Sequence, residues 1–150
     1  MKKIAWLALL LIAPTAIADP LHVYKSETCG CCVHWIDHLE DSGFEVTAEN
    51  KEDMNAIKAL MGIGPRYQSC HTGVTKEGFF IEGHVPAVAI NKFLSNPPED
   101  AAGLTVPGMP VGSPGMEVGD RFQPYHVYLI DKDGGYRSFM KFDKPEDQEG

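Results

Sequence analysis

The sequence predicts an α/β domain built on a mixed sheet with flanking helices. In the first half, a strand-like segment at Leu21 to Tyr24 is followed by a helical segment at about Cys29 to Ser42 and a second strand-like segment at Phe44 to Ala48. The second half ends in two strand-like segments, 125–130 and 136–142, which a glycine-containing turn joins into a hairpin. Helical crossovers in one half and a direct hairpin in the other predict strands of both directions in one sheet.

Residues 1–18 have the three-part pattern of a secretory signal peptide. Two lysines precede an apolar run at Ile4 to Ala13, and small residues stand before a cleavage point after Ala18. The apolar run is much shorter than the roughly 20 residues that a membrane-spanning helix needs. We therefore expect an exported chain whose mature part, residues 19–150, forms a single domain.

The acidic net charge of the mature chain disfavours some classes of binding partner. Loss of Lys2 and Lys3 with the signal takes the formal net charge from −8 to −10. Such an acidic surface is a poor match for nucleic acid or anionic lipid. The mature part also contains no apolar run long enough to span a bilayer. We expect no nucleic-acid partner and no membrane insertion after signal cleavage.

The first helix is expected to begin at a group of cysteines. Thr28 is a suitable N-terminal cap, and Gly43 is a suitable stop. Cys32, Ile36 and Leu39 fall on one face at helical spacing. This face is predicted to pack on the sheet.

A second helix is expected after the second strand, with Asp53 near its start and Gly62 to Pro65 at its end. Its apolar residues recur at helical spacing and are expected to face the core. They are Met54, Ile57, Leu60 and Met61.

The middle of the chain is less regular. Phe79 to Ile81 and Ala87 to Ile90 have strand-like composition, and a short helix is expected around Lys92 to Ser95. Pro97 to Gly119 is rich in proline and glycine but also carries apolar residues, so we expect an ordered loop folded back on the domain. Asp143 to Gly150 is charged and is expected to be a frayed tail.

The cysteines mark the chemistry. Cys29, Cys31 and Cys32 lie within four residues, and the fourth cysteine, Cys70, is distant in sequence. The thiolate is both the nucleophilic and the metal-binding form of cysteine, and a helix N-terminus stabilises it. We expect a lowered pKa and a partly exposed sulfur at Cys29. Three cysteines within four residues are poorly placed to stabilise the fold through disulfides, but they concentrate sulfur atoms at one point.

The turn between the first strand and the first helix also contains a C-x-x-C pair, Cys29 and Cys32. A C-x-x-C at that position is the thioredoxin-like arrangement. Val85-Pro86 resembles the cis-proline segment that faces this motif in thioredoxin-like folds. The predicted fold is therefore a thioredoxin-like domain with a long inserted loop.

Two chemistries fit the cluster. Cys29 and Cys32 can act as a catalytic redox disulfide, which leaves Cys31 and Cys70 unexplained. Alternatively, all four thiolates bind a soft metal such as Cu(I), and bridging sulfurs permit a polynuclear cluster. Zinc is a weaker match because its common ligand spacings are absent from the sequence. No spacing marks the triad of a serine or cysteine hydrolase.

Other side chains could complete such a site. Two methionines each follow a Pro-Gly pair, and thioether is a soft ligand, but packing explains them equally well. Two histidines lie beside Cys70 or before Pro86, two others are one helical turn apart, and a structural role is open for all four. The two methionines are Met109 and Met116. The histidines beside Cys70 and before Pro86 are His71 and His84, and those one helical turn apart are His34 and His38.

Four sequence blocks in this order carry a family resemblance that runs from about Leu21 to Phe142. The blocks are Thr28-Cys29-Gly30-Cys31-Cys32 with Trp35, Ser69-Cys70-His71-Thr72, Glu82-Gly83-His84-Val85-Pro86-Ala87, and the stretch from Gly103 to Glu117 that holds both Pro-Gly-Met units. Together they resemble the CopG-type copper-resistance proteins, a family once classed as a domain of unknown function.

The resemblance implies a periplasmic, thioredoxin-like copper-binding protein with a part in copper tolerance and with possible redox cycling of copper. Its partners would be copper ions and other envelope copper-handling proteins. A general envelope thiol-disulfide oxidoreductase and a passive copper chaperone or buffer stay as alternatives. The copper ligands that the resemblance implies are Cys29, Cys31, Cys32, Cys70, Met109 and Met116.

Overall fold

The computed structural model describes residues 20–149, and the predicted signal peptide, residues 1–18, lies outside them. The described chain forms one seven-stranded sheet with three α-helices and two short 3₁₀ helices. In chain order the elements are β1 Leu21–Lys25, α1 Gly30–Asp41, β2 Val46–Asn50, α2 Met54–Leu60, a 3₁₀ helix Pro65–Tyr67, β3 Thr72–Val74, β4 Phe80–Glu82, α3 Ala87–Ser95, β5 Ala101–Thr105, β6 Tyr125–Asp131, β7 Tyr136–Phe142 and a 3₁₀ helix Pro145–Gln148.

The strands follow the order β2-β1-β3-β4-β5-β6-β7. β1 and β2 are parallel, β3 is antiparallel to both β1 and β4, and β5 runs parallel to β4. The first four strands therefore have thioredoxin-like topology, with the cysteines between β1 and α1. The antiparallel strands β6 and β7 complete the sheet and form the predicted hairpin. The predicted α/β class with a mixed sheet is confirmed.

The core lies between the sheet and the helices α1 and α3. Trp35 and Leu39 of α1 and Phe93 of α3 are fully buried in the same cluster as the inward residues of the strands. The Trp35 indole Nε1 also donates a hydrogen bond to the carbonyl of Val85 at 2.9 Å. The middle of α1 is thereby joined to the turn that leads into α3.

The region predicted as strand Ala87 to Ile90 and short helix Lys92 to Ser95 is one helix, α3. Its buried residues, which include Ala87, Ile90 and Phe93, recur at helical spacing. The β-branched composition favoured a strand, but burial of one helical face determines the outcome. The peptide bond before Pro86 is trans, since residues 20–149 contain no cis peptide, so the expected cis-proline is wrong.

The predicted loop Pro97 to Gly119 contains a central strand, β5, that pairs with both β4 and β6. Gly103 makes this possible: a Cβ there would lie 2.1 Å from the Phe80 carbonyl oxygen. A segment of alanine and glycine carries little strand propensity, so its place in the sheet is set by close packing. The rest of the predicted loop is ordered without regular structure, as expected.

Three local expectations need correction. Cys29, not Thr28, is the N-cap of α1. In α2 the buried residue is Lys58, while Leu60 of the predicted core face is 83% exposed. The expected frayed tail contains a 3₁₀ helix, and its Gln148 amide donates to the Gly112 carbonyl at 3.1 Å. Gly43, with φ of +89°, follows α1 as predicted.

Within residues 20–149, no helix has both the length and the apolar character needed to cross a membrane.

Candidate metal centre

The cysteine turn, residues 29–32, lies at the N-terminus of α1. Cys29 is the N-cap, and Cys31 and Cys32 lie in the first turn of the helix. Cys29 and Cys32 form a disulfide, while the Cys31 sulfur is free and lies 3.6 Å from that of Cys29. Cys32 is fully buried, and the other two are half-buried. The predicted C-x-x-C pair is therefore one that can be oxidised in this fold.

Cys70 reaches the cysteine turn from the segment just before β3. Because β3 pairs with β1, the residues before β3 lie at the same end of the sheet as the residues that follow β1. The sulfurs of Cys29, Cys31, Cys32 and Cys70 all lie within 4.8 Å of one another. The fold thus brings together the four cysteines that the sequence indicated.

Two histidine rings flank the Cys70 sulfur. It lies 3.1 Å from His84 Nε2 and 3.2 Å from His71 Nδ1. These three residues are called here the Cys70 corner, and their donor atoms also fall within 4.8 Å of one another. The sequence left both histidines open as ligands. Only their positions in the sequence had suggested them as ligands: His71 follows Cys70, and His84 precedes Pro86 by two residues.

The tautomer of His84 follows from its second hydrogen bond. His84 Nδ1 lies 2.8 Å from the carbonyl oxygen of Pro114, which can only accept. The proton is therefore on Nδ1, and Nε2 presents its lone pair to Cys70. A carbonyl on the second ring nitrogen is the arrangement that orients metal-binding histidines. Burial lowers the pKa of His84, so the ring is neutral at pH 7.

His71 is fully buried between the other rings of the site. Its ring centroid lies 4.1 Å from that of Trp35 and 5.0 Å from that of His84. Burial, reinforced by the nearby His84 and Lys58, holds the pKa of His71 well below its usual range. Its Nε2 has no hydrogen-bond partner in the described part of the chain. His71 is therefore a neutral ring that presents Nδ1 to the sulfur.

The protonation of Cys70 differs from that expected for a thiolate cluster. Burial, followed by the proximity of Cys31, raises the pKa of Cys70 to about 12. The metal-free corner therefore holds a protonated thiol at neutral pH. A metal ion must displace this proton when it binds, because only the thiolate is a strong ligand.

The loop between β5 and β6 is anchored to both parts of the site through its two Pro-Gly-Met units. The Gly108 amide donates to the Gln68 carbonyl at 3.3 Å, and the Gly108 carbonyl accepts from the Ser69 hydroxyl. Gly115 lies against α1: a Cβ there would lie 2.7 Å from both the Cys31 carbonyl oxygen and the Trp35 amide nitrogen. One unit therefore meets the segment before Cys70, and the other meets the cysteine turn.

The two methionines of these units differ in exposure. Met109 is 52% exposed and lines a cavity of about 630 Å³ together with the rings of Tyr67, Tyr128 and Tyr136. Met116 is half-buried and directly follows Gly115. Both backbones lie beside the site, while the Met109 side chain borders the neighbouring cavity.

His34 and His38 do not form the chelating pair that their spacing allowed. His38 Nε2 accepts a hydrogen bond from the Ala87 amide at 3.1 Å, which joins α1 to the first residue of α3. Burial lowers the pKa of His38 and so favours the neutral, accepting ring. His34 is exposed and lies 3.7 Å from Asp37. His38 is thus a structural residue.

The donor set is a good match for a soft ion. Four sulfurs and two neutral imidazoles converge, and soft thiolate ligands together with imidazole suit copper. The site has more donors than a single ion requires. Coordination of copper by all four cysteines would require the Cys29–Cys32 disulfide to be reduced.

Comparison with known proteins agrees with this chemistry. A family model described as a protein of unknown function, DUF411, matches residues 67–116. Two solved structures, named copper resistance protein CopG form 2 and form 1, are each 44% identical to this chain. They cover 83% of this chain and 98% of their own, with TM-scores of 0.79 and 0.78. No curated protein matches the sequence.

Proposed function

This chain belongs to the CopG family of copper resistance proteins, and from that premise we propose that it binds Cu(I) in the periplasm. The observation that carries the proposal is the convergence of four cysteine sulfurs within 4.8 Å. Thiolates are soft ligands, which favour Cu(I) over hard ions such as Mg²⁺ and Ca²⁺. An acidic exported protein with such a cluster is suited to hold copper away from other sites.

The proposed ligands begin with the four cysteines. Cys70 belongs both to the sulfur cluster and to the Cys70 corner, so it can connect two coordination environments. His84 presents an unprotonated Nε2 to the Cys70 sulfur, His71 presents its Nδ1, and these two residues are the next candidates. Sulfur bridges between ions would explain why the donors exceed the needs of one copper, and we propose uptake of more than one Cu(I).

Met109 and Met116 are proposed as supplementary thioether ligands. Thioether is neutral, so it stabilises Cu(I) without adding negative charge to a thiolate-rich site. The support is the anchoring of both Pro-Gly-Met backbones beside the site. Met109 must turn from the neighbouring cavity to reach a copper ion.

A redox step is proposed between copper and the C-x-x-C pair. The thiolates of Cys29 and Cys32 each give one electron to one Cu(II), which yields two Cu(I) and the Cys29–Cys32 disulfide. Any thiol protons pass to solvent. An external dithiol reductant, which supplies two electrons and two protons, is needed to restore both thiols. The presence of this disulfide in the structure supports the step.

The direct test is anaerobic Cu(I) titration of the reduced mature protein, read by metal analysis and by competition with a Cu(I) chelator. We expect more than one tightly bound Cu(I) per chain. The variant with Cys29, Cys31, Cys32 and Cys70 all changed to Ser should lose nearly all of this uptake. Wild-type affinity in that variant would mean that the cysteine cluster is not the site.

A general thiol-disulfide oxidoreductase is the second candidate, favoured by the same disulfide at the start of α1. Such an enzyme needs Cys29 and Cys32 but should tolerate Cys31→Ser and Cys70→Ser. A copper site should weaken in all four single variants. Insulin reduction measures the first activity, and strong turnover without copper uptake would favour the oxidoreductase. A passive copper buffer would bind copper but reduce no Cu(II).

Export is proposed from the basic start, the apolar run and the small residues before Ala18. Mass spectrometry of the protein from the periplasmic fraction should give a mature chain that begins at Asp19. Recovery of the full-length chain from the cytoplasmic fraction alone would contradict export.

A further inference from the structure

A buried ion pair lies beneath the Cys70 corner. The Lys58 ammonium of α2 contacts the Glu82 carboxylate of β4, and their side chains are 4% and 0% exposed. Lys58 also donates to the Thr72 hydroxyl at 3.2 Å. Burial of two charges is costly, and apolar replacements of such pairs are often neutral or stabilising. Stability alone is therefore a weak reason for this pair.

The hydrogen bonds of Glu82 suggest a more specific role. Its Oε1 accepts from the backbone amide of Ser69 at 2.6 Å, and its Oε2 accepts from the Thr72 hydroxyl at 2.6 Å. Ser69 immediately precedes Cys70, and Thr72 immediately follows His71. The carboxylate therefore holds the chain on both sides of the Cys70-His71 pair.

Strand pairing already fixes one of these two segments. Thr72 and Glu82 are direct partners in the register between β3 and β4, so their alignment does not depend on the carboxylate. Ser69 precedes β3, and its amide donates to the side chain of Glu82 and not to the backbone of a neighbouring strand. Removal of the carboxylate would leave this amide without its acceptor, a larger penalty than the gain from making the bond.

We propose that Glu82 is a positioning residue for Cys70, with Lys58 as its counter-charge. Glu82 acts through the Ser69 amide and holds the Cys70 sulfur toward the cysteine turn and the two histidines. The importance of this for copper rests on the proposed function. The positioning itself is a property of the metal-free protein and is testable without copper.

Two double variants separate the hydrogen bond from the charges. Lys58→Met with Glu82→Leu removes both charges and the acceptor for Ser69. Lys58→Met with Glu82→Gln also removes both charges but keeps a side-chain oxygen that can accept from the Ser69 amide. Val127→Ala, a buried β6 substitution away from the site, is the control for a general loss of stability.

The readout is the alkylation rate of Cys70 relative to Cys31 in the oxidised protein, measured by iodoacetamide labelling and peptide mass spectrometry. Both thiols are free while the Cys29–Cys32 disulfide is intact. The Leu variant should label Cys70 about tenfold faster, because loss of a buried acceptor opens the segment, with Cys31 unchanged. The Gln variant should stay within about twofold of wild type.

General unfolding would raise both labelling rates together, as expected for Val127→Ala. Parallel changes at Cys31 and Cys70 in the Leu variant, or equal Cys70 rates in the Leu and Gln variants, would overturn the proposal. If the Leu variant does not fold, amide exchange in the wild-type protein decides. The Ser69 amide should be as protected as the amides of β3, and exchange at the rate of an exposed loop would overturn the proposal.

Copper affinity provides a second, independent test of the role of Glu82. If the proposed function holds, the Leu variant should bind Cu(I) about tenfold more weakly than the Gln variant, since loss of an outer support typically weakens metal binding by this order. A wild-type protein that binds no copper would refute the proposed function and leave the labelling result valid. Equal copper affinity in the two variants would overturn the role of Glu82 in the copper site.

Discussion

The two parts of the candidate site are built in different ways. The cysteine turn is contiguous, lies at a helix start and holds a disulfide next to a free thiol. The Cys70 corner is assembled from the segment before β3, the turn before α3 and the Pro114 carbonyl. It holds a protonated thiol between neutral rings. The first part supplies most of the sulfur and a cysteine pair that can form a disulfide, and the second supplies a buried thiol between two ordered rings.

The largest contrast should come from single cysteine variants. Cys70→Ser removes the sulfur that both groups of donors share and should weaken Cu(I) affinity by more than about 100-fold, which exceeds the usual effect of losing a residue that only supports a ligand. Cys31→Ser leaves the Cys70 corner intact and should cost about tenfold. Chelator competition measures both. Equal losses would mean that Cys70 has no connecting role.

Glycine-to-alanine substitutions in the two Pro-Gly-Met units allow a matched comparison of the unfolding free energy. Gly115→Ala adds a Cβ 2.7 Å from the backbone of α1 at a φ of +85°, so it should cost about 3 kcal/mol from strain and overpacking. Gly108 has a φ of +70° but open space around its Cβ position, so Gly108→Ala should cost about 1 kcal/mol. Thermal unfolding compares them. A larger loss at Gly108 would contradict the described packing of the loop on the cysteine turn.

Replacement of the two methionines tests whether the loop adds copper ligands to the cysteine turn or to the Cys70 corner. Met109→Leu with Met116→Leu keeps apolar bulk, so the change in unfolding free energy should stay below about 1.5 kcal/mol. We expect Cu(I) affinity to fall about tenfold, because the thioethers are lost while the fold remains. Chelator competition beside a melting curve makes the measurement. Unchanged affinity would remove both residues from the site and leave the loop as structure.

The smallest effect is expected at His38, which joins the helix of the cysteine turn to the helix that follows His84. Its pKa is lowered in the folded state, so the native protein binds fewer protons than the unfolded chain below pH 6.5. Stability should therefore fall as the pH drops from 7 toward 5. His38→Gln can still accept from Ala87 and does not titrate, so the loss of stability between pH 7 and pH 5 should be smaller in this variant than in the wild type.

Denaturant unfolding at pH 7 and pH 5 measures the effect of His38. His71 and His84 also have lowered pKa values and remain in both proteins, so some acid sensitivity should persist. An identical pH dependence for the wild type and His38→Gln would contradict a neutral, accepting His38.

The same contrast explains what sequence could predict. The cysteine turn and the hairpin depend on neighbouring residues, so local patterns identify them. The first half of α3 and all of β5 were missed, because burial on one helical face and close packing at Gly103 outweigh local propensity. In α2 the apolar pattern was misleading, since Lys58 turns inward to meet a carboxylate from β4.

The Cys70 corner could be predicted only in part. Cys70 was an obvious candidate because it was the one cysteine left over, and His71 was suggested by adjacency. The orientation of His84 depends on a carbonyl 30 residues away, and the support under Ser69 depends on Glu82. Such contacts depend on topology, and they have no signature at short range in the sequence.

The central claim is that copper binds to sulfur at the point where the cysteine turn meets Cys70. Copper K-edge absorption of the reduced, Cu(I)-loaded protein tests it most directly, because the spectrum reports the oxidation state and the atoms bound to the metal. We expect Cu(I) with mainly sulfur ligands, and loss of that sulfur signal in the variant with all four cysteines changed to Ser. Copper bound only to nitrogen and oxygen, or the same spectrum in that variant, would contradict it.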